Sequence, residues 1–465
     1  MKDLTSGKEA RLIFNFAMPM LLGNLFQQLY NIVDTIIVGN FIGKEALASV
    51  GASFPIVFTL ISLIIGVASG GTIVIAQYFG AKQFDNVKRA IHTLYIFLLI
   101  ASVALTLIGI PFTDEVFRLI KLPEELMPDA TLYLSIYLSG LVAMFGFNAT
   151  SAILRGLGDS KTPLYFLMIS TFFNIGFDLL FIVVFKWGIA GAAIATVISQ
   201  AGAFLTAVIY LNRYHKLIDF NLPSWKFDRK IFWQSIRIGL PTGLQHTFVS
   251  LGMLAIMAIV NTFGTNVIAG YSAALRIDSL AVLPAMNFSA ALATFVGQNI
   301  GAGKPERVRR GLISTLVMSA AVTITVMAIV IFFKQQLMGM FTKDLDVIRI
   351  GAEYLVIVSS FYLLFTAMFT IAGVLRGAGD TLVPMFFTLF SLWIIRVPFA
   401  WYFSGLIGET GIWWSQPAGW GVGLLLSFGY YLTGRWKKMG VVKHKHETMA
   451  DITPVGASTV SSSDE

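Results

Sequence analysis

Long apolar stretches, separated by short polar segments, recur along almost the whole chain. Each holds about 20 residues or more, the length that an α-helix needs to cross a hydrocarbon core of about 30 Å. Several exceed that length, which predicts tilted or kinked helices. The pattern predicts twelve helices with the approximate bounds 12–38, 47–78, 88–112, 130–154, 163–185, 188–211, 231–260, 267–299, 310–333, 347–374, 382–404 and 412–434.

The composition agrees with this pattern. Of the 465 residues, 56% are hydrophobic and 12% are charged, whereas ordinary globular proteins carry about 25% charged residues. The mean hydropathy is +0.77. The first apolar stretch lacks the short hydrophobic region and the cleavage site of a signal peptide, which predicts a retained helix. We therefore expect an all-α polytopic membrane protein with twelve transmembrane helices.

The placement of the charges predicts the topology. The net charge is +8, and 23 of the 33 Lys and Arg residues fall in cytoplasmic segments if the N-terminus lies inside. Positive charge favours the cytoplasmic side of a membrane, so we expect a multi-pass protein of the plasma (inner) membrane with both termini in the cytoplasm. The same placement argues against a nucleic-acid partner. The absence of Cys excludes disulfides and thiolate metal sites.

One decapeptide occurs twice. LRGLGDSKTP at 154–163 returns as LRGAGDTLVP at 375–384, a separation of 221 positions, and AQYFGAKQFDNVKRA at 76–90 aligns with GQNIGAGKPERVRRG at 297–311 at the same separation. Six predicted helices separate equivalent points, so both halves have one orientation in the membrane. Parallel repeats of this kind enclose a central substrate path that opens to either side in turn. We interpret the decapeptide itself as structural, because Gly permits a tight turn and Pro can begin the next helix.

The repeat also predicts the domain boundaries. Two six-helix lobes should be related by a pseudo-two-fold axis along the membrane normal. The segments are an N-lobe at 1–211, a cytoplasmic linker at 212–230, a C-lobe at 231–440 and a cytoplasmic tail at 441–465. The tail is polar and rich in small residues, which is typical of disorder.

These features resemble the multidrug and toxic compound extrusion (MATE) family. The resemblance covers roughly residues 10–435 and rests on the 6+6 repeat, the paired LRGxGD segments and the Gln-containing ends QYFGA and GQNIGAG. It implies a V-shaped pair of lobes that exports organic cations and amphipathic compounds. The driving force would be the inward flow of H+ or Na+.

Two acids distinguish the halves. Asp34 in the first predicted helix and Asp178 in the fifth lie well inside the apolar stretches, whereas the aligned positions of the second half hold Ile256 and Phe399. A charged carboxylate at bilayer depth costs at least about 2.5 kcal/mol, so such groups usually face a cavity or a partner. The N-lobe is therefore predicted to handle the coupling ion, and a C-lobe cation site is not predicted.

The family resemblance extends to the residues of an N-lobe cation site. The matching positions are Asp34, Asn148, Asn174, Asp178 and Thr196. All five supply oxygen atoms, which suits a small hard cation such as Na+, held at Asp34, Asn174 and Asp178. The acid pair also suits a proton, which two adjacent carboxyl groups can share. The choice between H+ and Na+ stays open, as does a purely structural role for these acids, and no cofactor is expected.

Other polar residues are candidates for the substrate cavity. Gln27 and Asn31 continue a polar stripe on the first helix, and Gln245 and His246 lie in the seventh. A hydrogen-bonded structural role for His246 is the alternative. In the eighth helix Arg276 and Asp278 lie two positions apart, a spacing at which side chains on a helix do not face each other. Each is expected to pair across the lobe, and both a structural and a functional role stay open.

The sequence favours a secondary multidrug antiporter that works by alternating access. The expected partners are small organic or cationic molecules and membrane lipids, and a monomer is expected. The alternative is a flippase or exporter of lipid-linked saccharide precursors, which would use a similar lateral cavity. An enzyme is not expected, because the chain lacks HExxH, GxSxG and P-loop motifs.

Overall fold

The computed structural model describes residues 2–214 and 224–442. Within these two ranges the regular secondary structure is helical and no strand occurs. The predicted linker therefore lies partly outside the described residues, and the predicted tail lies outside them from residue 443 onward. The N-terminal half holds α1 (Glu9–Phe41), α2 (Lys44–Gly80), α3 (Phe84–Gly109), α4 (Thr113–Leu119), α5 (Met127–Ser139), α6 (Leu141–Gly156), α7 (Lys161–Asp178) and α8 (Gly188–Tyr214).

The C-terminal half repeats this arrangement with more interruptions. A π-helical segment, Phe390–Arg396, joins two of its helices, and another, Leu179–Val184, continues α7 in the first half. The helices of the second half are α9 (Arg229–Val260), α10 (Thr265–Ala281), α11 (Leu283–Gly301), α12 (Pro305–Phe332), α13 (Lys334–Gly339), α14 (Leu345–Ser359), α15 (Tyr362–Ala378), α16 (Leu382–Leu389), α17 (Val397–Ile407) and α18 (Glu409–Leu432).

These helices form the predicted twelve-helix, two-lobe arrangement. Among the described residues, seven helical segments are long and apolar enough to cross a membrane, and ten are so if each of three bent pairs counts as one span. The remaining two of the twelve helices are α1, which carries a polar stripe, and α18, which is rich in Trp and Gly. They hold 33 and 24 residues.

Besides the bend of 40° within α2, two predicted spans divide into separate helices. The helix expected at 130–154 divides into α5 and α6, which meet at 51°, and the one expected at 347–374 divides into α14 and α15, which meet at 49°. At the first bend, a Cβ on Gly140 would lie only 2.5 Å from the side chain of Val197 on α8. The bend therefore accommodates a close helix contact, which hydropathy along the chain does not reveal.

α1 passes from one lobe to the other along its length. Its first turns pack Ile13 and Phe16 into a cluster formed mainly by C-lobe residues. Its last turns pack Ile37 and Val38 against N-lobe residues of α2 and α8. Pro19 lies inside the helix between these two regions, where it removes one backbone hydrogen bond.

α9 makes the opposite crossing. Ile231 and Ile238 pack into the N-lobe core, whereas Ile256 and Val260 pack into the C-lobe core. Pro241 lies inside this helix, 222 positions after the proline of α1. The first helix of each lobe thus holds the two lobes together and carries a proline within it.

Candidate cation site in the N-lobe

The structure brings the two predicted acids together. The carboxyl groups of Asp34 on α1 and Asp178 at the end of α7 lie close enough to interact directly. Two ionised carboxyl groups this close repel each other, and a shared proton or a bound cation removes that repulsion. Oδ1 of each residue is buried and has no hydrogen-bond partner. The pair can therefore accept a proton or a small cation.

Asn174 lies beside this pair, and Thr196 lies beside Asn174. The Asn174 amide donates to Oδ2 of Asp178 at 2.9 Å, and its carbonyl accepts from the backbone N–H of Thr196 at 3.3 Å. Asn174 and Asp178 are four residues apart on α7 and so share one face. Both are buried, and a π-helical segment begins directly after Asp178. The wider π turn is a frequent feature of functional sites.

Three tyrosines complete the surroundings and were missed by the sequence analysis. The hydroxyl of Tyr30 on α1 lies 3.3 Å from Oγ1 of Thr196. Tyr133 on α5 lies near both acids and stacks on Tyr137, with ring centroids 6.2 Å apart. Tyr30 precedes Asp34 by one helical turn, so its position on the same face was available from the sequence. The contribution of α5 depended on packing between helices.

Asn148 lies apart from this network. Its amide donates to the carbonyl of Met144 in its own helix at 2.8 Å. Within the described ranges, no hydrogen bond joins Asn148 to Asp34 or Asp178. Its role as a cation ligand therefore stays a prediction.

The four residues predicted to line a substrate cavity divide between the lobes. Gln27 and Asn31 are exposed on α1, and the Asn31 amide lies 3.4 Å from Oε1 of Gln28. Gln245 on α9 donates to Oγ1 of Thr388 at 2.7 Å and lines a cavity of about 20 Å³ in the C-lobe. His246 is partly buried within electrostatic range of Arg376. These positions do not converge on a single pocket in this conformation.

The buried acid of the C-lobe differs from the N-lobe pair. Asp278 accepts a hydrogen bond of 2.6 Å from the hydroxyl of Tyr362, and Arg396 lies nearby as its counter-charge. Arg396 donates in turn to Oε1 of Gln416 at 2.8 Å. Asp278 thus finds a partner on another helix, as expected, and this partner belongs to the same lobe.

Within the part of the chain that the structure describes, no Lys or Arg side chain acts on the N-lobe acids as Arg396 acts on Asp278. Among the described residues, no ion pair involves Asp34 or Asp178. The same residues contain no group of three or more His, Asp or Glu side chains placed to hold a metal ion. Two carboxyl groups with one amide and one hydroxyl oxygen suit a single monovalent charge better than a multivalent metal.

A twelve-helix bundle of two repeated lobes, with two acids held together inside one lobe, is typical of a membrane transporter. Residues 19–180 and 241–402 each match the family model MatE, one match in each half. The chain therefore belongs to the MATE family of multidrug efflux transporters. The resemblance drawn from the repeated motifs is confirmed, and the family comprises transporters rather than enzymes.

Similar proteins agree over nearly the full length. The chain is 35% identical over 452 residues to "Probable multidrug resistance protein YpnP" of Bacillus subtilis, covering 95% of this chain and 99% of the relative. It is 29% identical to "Probable multidrug resistance protein NorM" of Thermotoga maritima, covering 92% and 94%. A solved structure described as the outward-facing conformation of a multidrug resistance MATE family transporter matches with a TM-score of 0.88 at 25% identity, covering 94% and 99%.

Proposed function

We propose that this protein exports organic cations or amphipathic compounds in exchange for H+ or Na+, and that Asp34 and Asp178 carry the coupling ion. One observation carries the proposal: the carboxyl groups of partly buried Asp34 and buried Asp178 lie together without a cationic side chain, and each has a buried oxygen with no hydrogen-bond partner. The names of the relatives support multidrug export as the substrate class. No feature of the site favours lipid-linked saccharide precursors.

The position of Asp34 supports coupling between the ion and the lobes. α1 carries Asp34 near its far end and packs its first turns on the C-lobe. A cation bound by the acid pair replaces the contact between Asp34 on α1 and Asp178 on α7. It therefore changes how α1 is held, and with it the equilibrium between the inward-open and outward-open arrangements of the lobes. A ligand shifts such an equilibrium by its difference in affinity for the two states. The cation would bind from the outer side, and its release inward would reset the transporter.

The driving force is sufficient for useful export. One charge moving through 100 mV contributes about 2.3 kcal/mol, and one pH unit contributes about 1.36 kcal/mol. Together they support a several-hundred-fold gradient of a neutral substrate. Exchange of one proton for a monovalent organic cation loses the voltage contribution and retains the pH contribution.

Dye efflux from proteoliposomes tests the proposal. An imposed proton gradient, with and without Na+, should drive efflux of a cationic dye by the wild type, and Asp34→Asn should abolish it. Glu353→Gln is the control, because Glu353 lies in the C-lobe and accepts a hydrogen bond from Thr410. Wild-type efflux by a folded Asp34→Asn protein would refute the assignment of the ion site. The response to Na+ would identify the coupling ion.

We further propose a monomer in the plasma (inner) membrane with both termini in the cytoplasm. The excess of Lys and Arg in the segments on that side supports this orientation. The chain has no Cys, so a single Cys introduced at Lys2 can be labelled selectively. A membrane-impermeant maleimide should react with it in inside-out vesicles and not in intact cells. The reverse pattern would refute the orientation.

A further inference from the structure

Two equivalent glutamines reach from each lobe into the other. Gln77 at the end of α2 donates to the carbonyl of Gly377 on α15 at 3.0 Å. Gln298 at the end of α11 donates to the carbonyl of Gly156 on α6 at 3.1 Å. Both glutamines are fully buried. Because Gly156 and Gly377 belong to the repeated decapeptides, each decapeptide is the acceptor for the glutamine of the opposite lobe.

The same glutamines also bind the two ends of the described chain. The N–H of Leu4 donates to Oε1 of Gln298 at 2.9 Å, and the N–H of Val441 donates to Oε1 of Gln77 at 2.6 Å. Leu4 precedes α1 of the N-lobe but lies on the C-lobe. Val441 follows the C-lobe but lies on the N-lobe. The two chain ends are therefore exchanged between the lobes, on a surface that we call the terminal face.

The N-terminal strap, residues 2–7, is firmly held by the C-lobe. Leu4 is 1% exposed and belongs to a cluster with residues of α11, α12 and α15. Backbone carbonyls of the strap accept hydrogen bonds of 3.2, 3.1 and 2.9 Å from three C-lobe side chains, which are Asn299, Lys304 and Arg307. The carbonyl of Lys2 meanwhile lies against Gly158 of the N-lobe. The strap thus spans the boundary between the lobes.

The C-terminal strap, residues 439–442, has the mirrored arrangement. Val441 and Val442 pack against the N-lobe core. The carbonyl of Met439 lies 3.2 Å from the position of a Cβ on Gly379 of the C-lobe. Gly158 and Gly379 are equivalent positions of the decapeptides, with φ of 80° and 93°, a region that favours glycine. Each decapeptide thus turns tightly and leaves room for a strap.

We infer that Gln77, Gln298 and the two exchanged straps form the gate of the terminal face. Alternating access requires the lobes to separate there, which must break both glutamine contacts and release each strap from one lobe. The inference deepens the proposed function and rests on it for the identity of what passes through the gate. Lobe separation itself can be measured without any substrate.

Spin labels placed across the gate test the inference. Lys161 begins α7 and Leu382 begins α16; both are exposed, and they are equivalent positions of the two lobes. The chain has no native Cys, so Lys161→Cys with Leu382→Cys gives one labelled pair. Double electron–electron resonance on the protein in lipid nanodiscs should show one dominant short distance for the wild type. Adding Gln77→Leu and Gln298→Leu should raise the ratio of separated to closed molecules about tenfold, and Leu4→Ala should shift it in the same direction.

Gln416→Leu is the matched control. Gln416 is buried and accepts hydrogen bonds from Arg396 and Tyr354 within the C-lobe alone. Its substitution should lower thermal stability and leave the distance distribution unchanged. If the double glutamine variant does not fold, each single variant should shift the ratio about threefold.

An unchanged distribution in a folded Gln77→Leu/Gln298→Leu protein would overturn the gate. An equal shift caused by Gln416→Leu would also overturn it, because general loosening would then explain the result. Failure of the proposed function is distinguishable: it would appear as absent dye efflux by the wild type while the shift in distances remained. Dye efflux with unchanged distances would overturn the gate alone.

Discussion

The amide of Asn24 on α1 donates a hydrogen bond of 2.9 Å to the side-chain oxygen of Asn287 on α11. Asn287 is held in this orientation because its own amide donates to the carbonyl of Leu283 at 2.8 Å. The contact joins the lobes ten residues, or about 15 Å along the helix, before Asp34. It therefore lies on the path between the N-terminal strap and the acid pair.

Loss of the Asn24–Asn287 contact should weaken the closed arrangement of the lobes. Hydrogen bonds between membrane helices contribute about 0.6 kcal/mol on average, which is about threefold in population. Asn24→Ala and Asn287→Ala should each raise the separated fraction of the Lys161/Leu382 spin-label pair by that factor. The double substitution should add little to either single one. Independent, additive effects would show that the contact does not couple the lobes.

Tyr30 and Thr196 should act on the coupling ion as one unit. Tyr30→Phe removes the hydroxyl that lies 3.3 Å from Oγ1 of Thr196, and Thr196→Val removes the other member. Each is expected to slow proton-driven dye efflux severalfold with little change in protein yield. The double variant should be no slower than the slower single variant, because the same contact is lost. Multiplicative losses would show that the two residues act separately.

Neutralising Asp278 should lower the thermal stability of the protein, whereas neutralising Asp34 should abolish coupled transport. Asp278→Asn replaces the charged acceptor of the buried 2.6 Å hydrogen bond from Tyr362, and a hydrogen bond to a charged group contributes about 1.5–3 kcal/mol. Thermal unfolding followed by size-exclusion chromatography should therefore show a midpoint several degrees lower, with efflux retained in the surviving protein. Asp34→Asn should keep the midpoint and lose coupled efflux. Loss of coupling in folded Asp278→Asn would instead give the C-lobe acid a role in ion transport.

Gly80 should be intolerant of even one added methyl group. A Cβ on Gly80 would collide with the carbonyl of Gln298, and the equivalent Gly301 has the same relationship with the carbonyl of Gln77. The obstruction is backbone, so the lobes must move apart. Gly80→Ala should favour the separated distance of the spin-label pair. Gly51→Ala on the same helix has no atom within 4 Å of its Cβ and should change nothing.

Anchoring of the N-terminal strap should depend on pH through Asp3. Burial acts to raise the pKa of this carboxyl, but hydrogen bonds from the Thr5 hydroxyl and N–H and attraction to Lys304 and Lys82 outweigh it and hold the pKa below its usual value. A lowered pKa in the folded state adds stability above the unfolded value of about 3.9, and this stability is lost as pH falls through the folded value.

Asp3→Asn tests this dependence. The wild type should have a slightly higher thermal midpoint than the variant near pH 7, and the difference should shrink as the pH falls below about 4. Lys88→Gln, at a residue outside the strap contacts, serves as the control. A difference that stayed constant with pH would show that Asp3 acts through shape rather than charge.

The sequence by itself determined the helical membrane fold, the two-lobe repeat and the family. Hydropathy needs no tertiary information when a chain must bury about 20 apolar residues for each crossing. The isolated acids Asp34 and Asp178 were also visible, because a carboxyl group inside an apolar helix is costly. Tyr30 could have been found from its spacing to Asp34, whereas Tyr133 could not, because its place beside the acids depends on how α5 packs.

Only the tertiary structure decided what the repeated decapeptides contact. Nothing in LRGLGDSKTP or LRGAGDTLVP shows that Gly156 and Gly377 accept hydrogen bonds from the opposite lobe. The partners lie 142 and 300 positions away along the chain, and local propensity carries no information at such separations. The exchange of Leu4 and Val441 between the lobes has the same origin, since it arises only when two folded lobes meet and their buried polar groups must each find a partner.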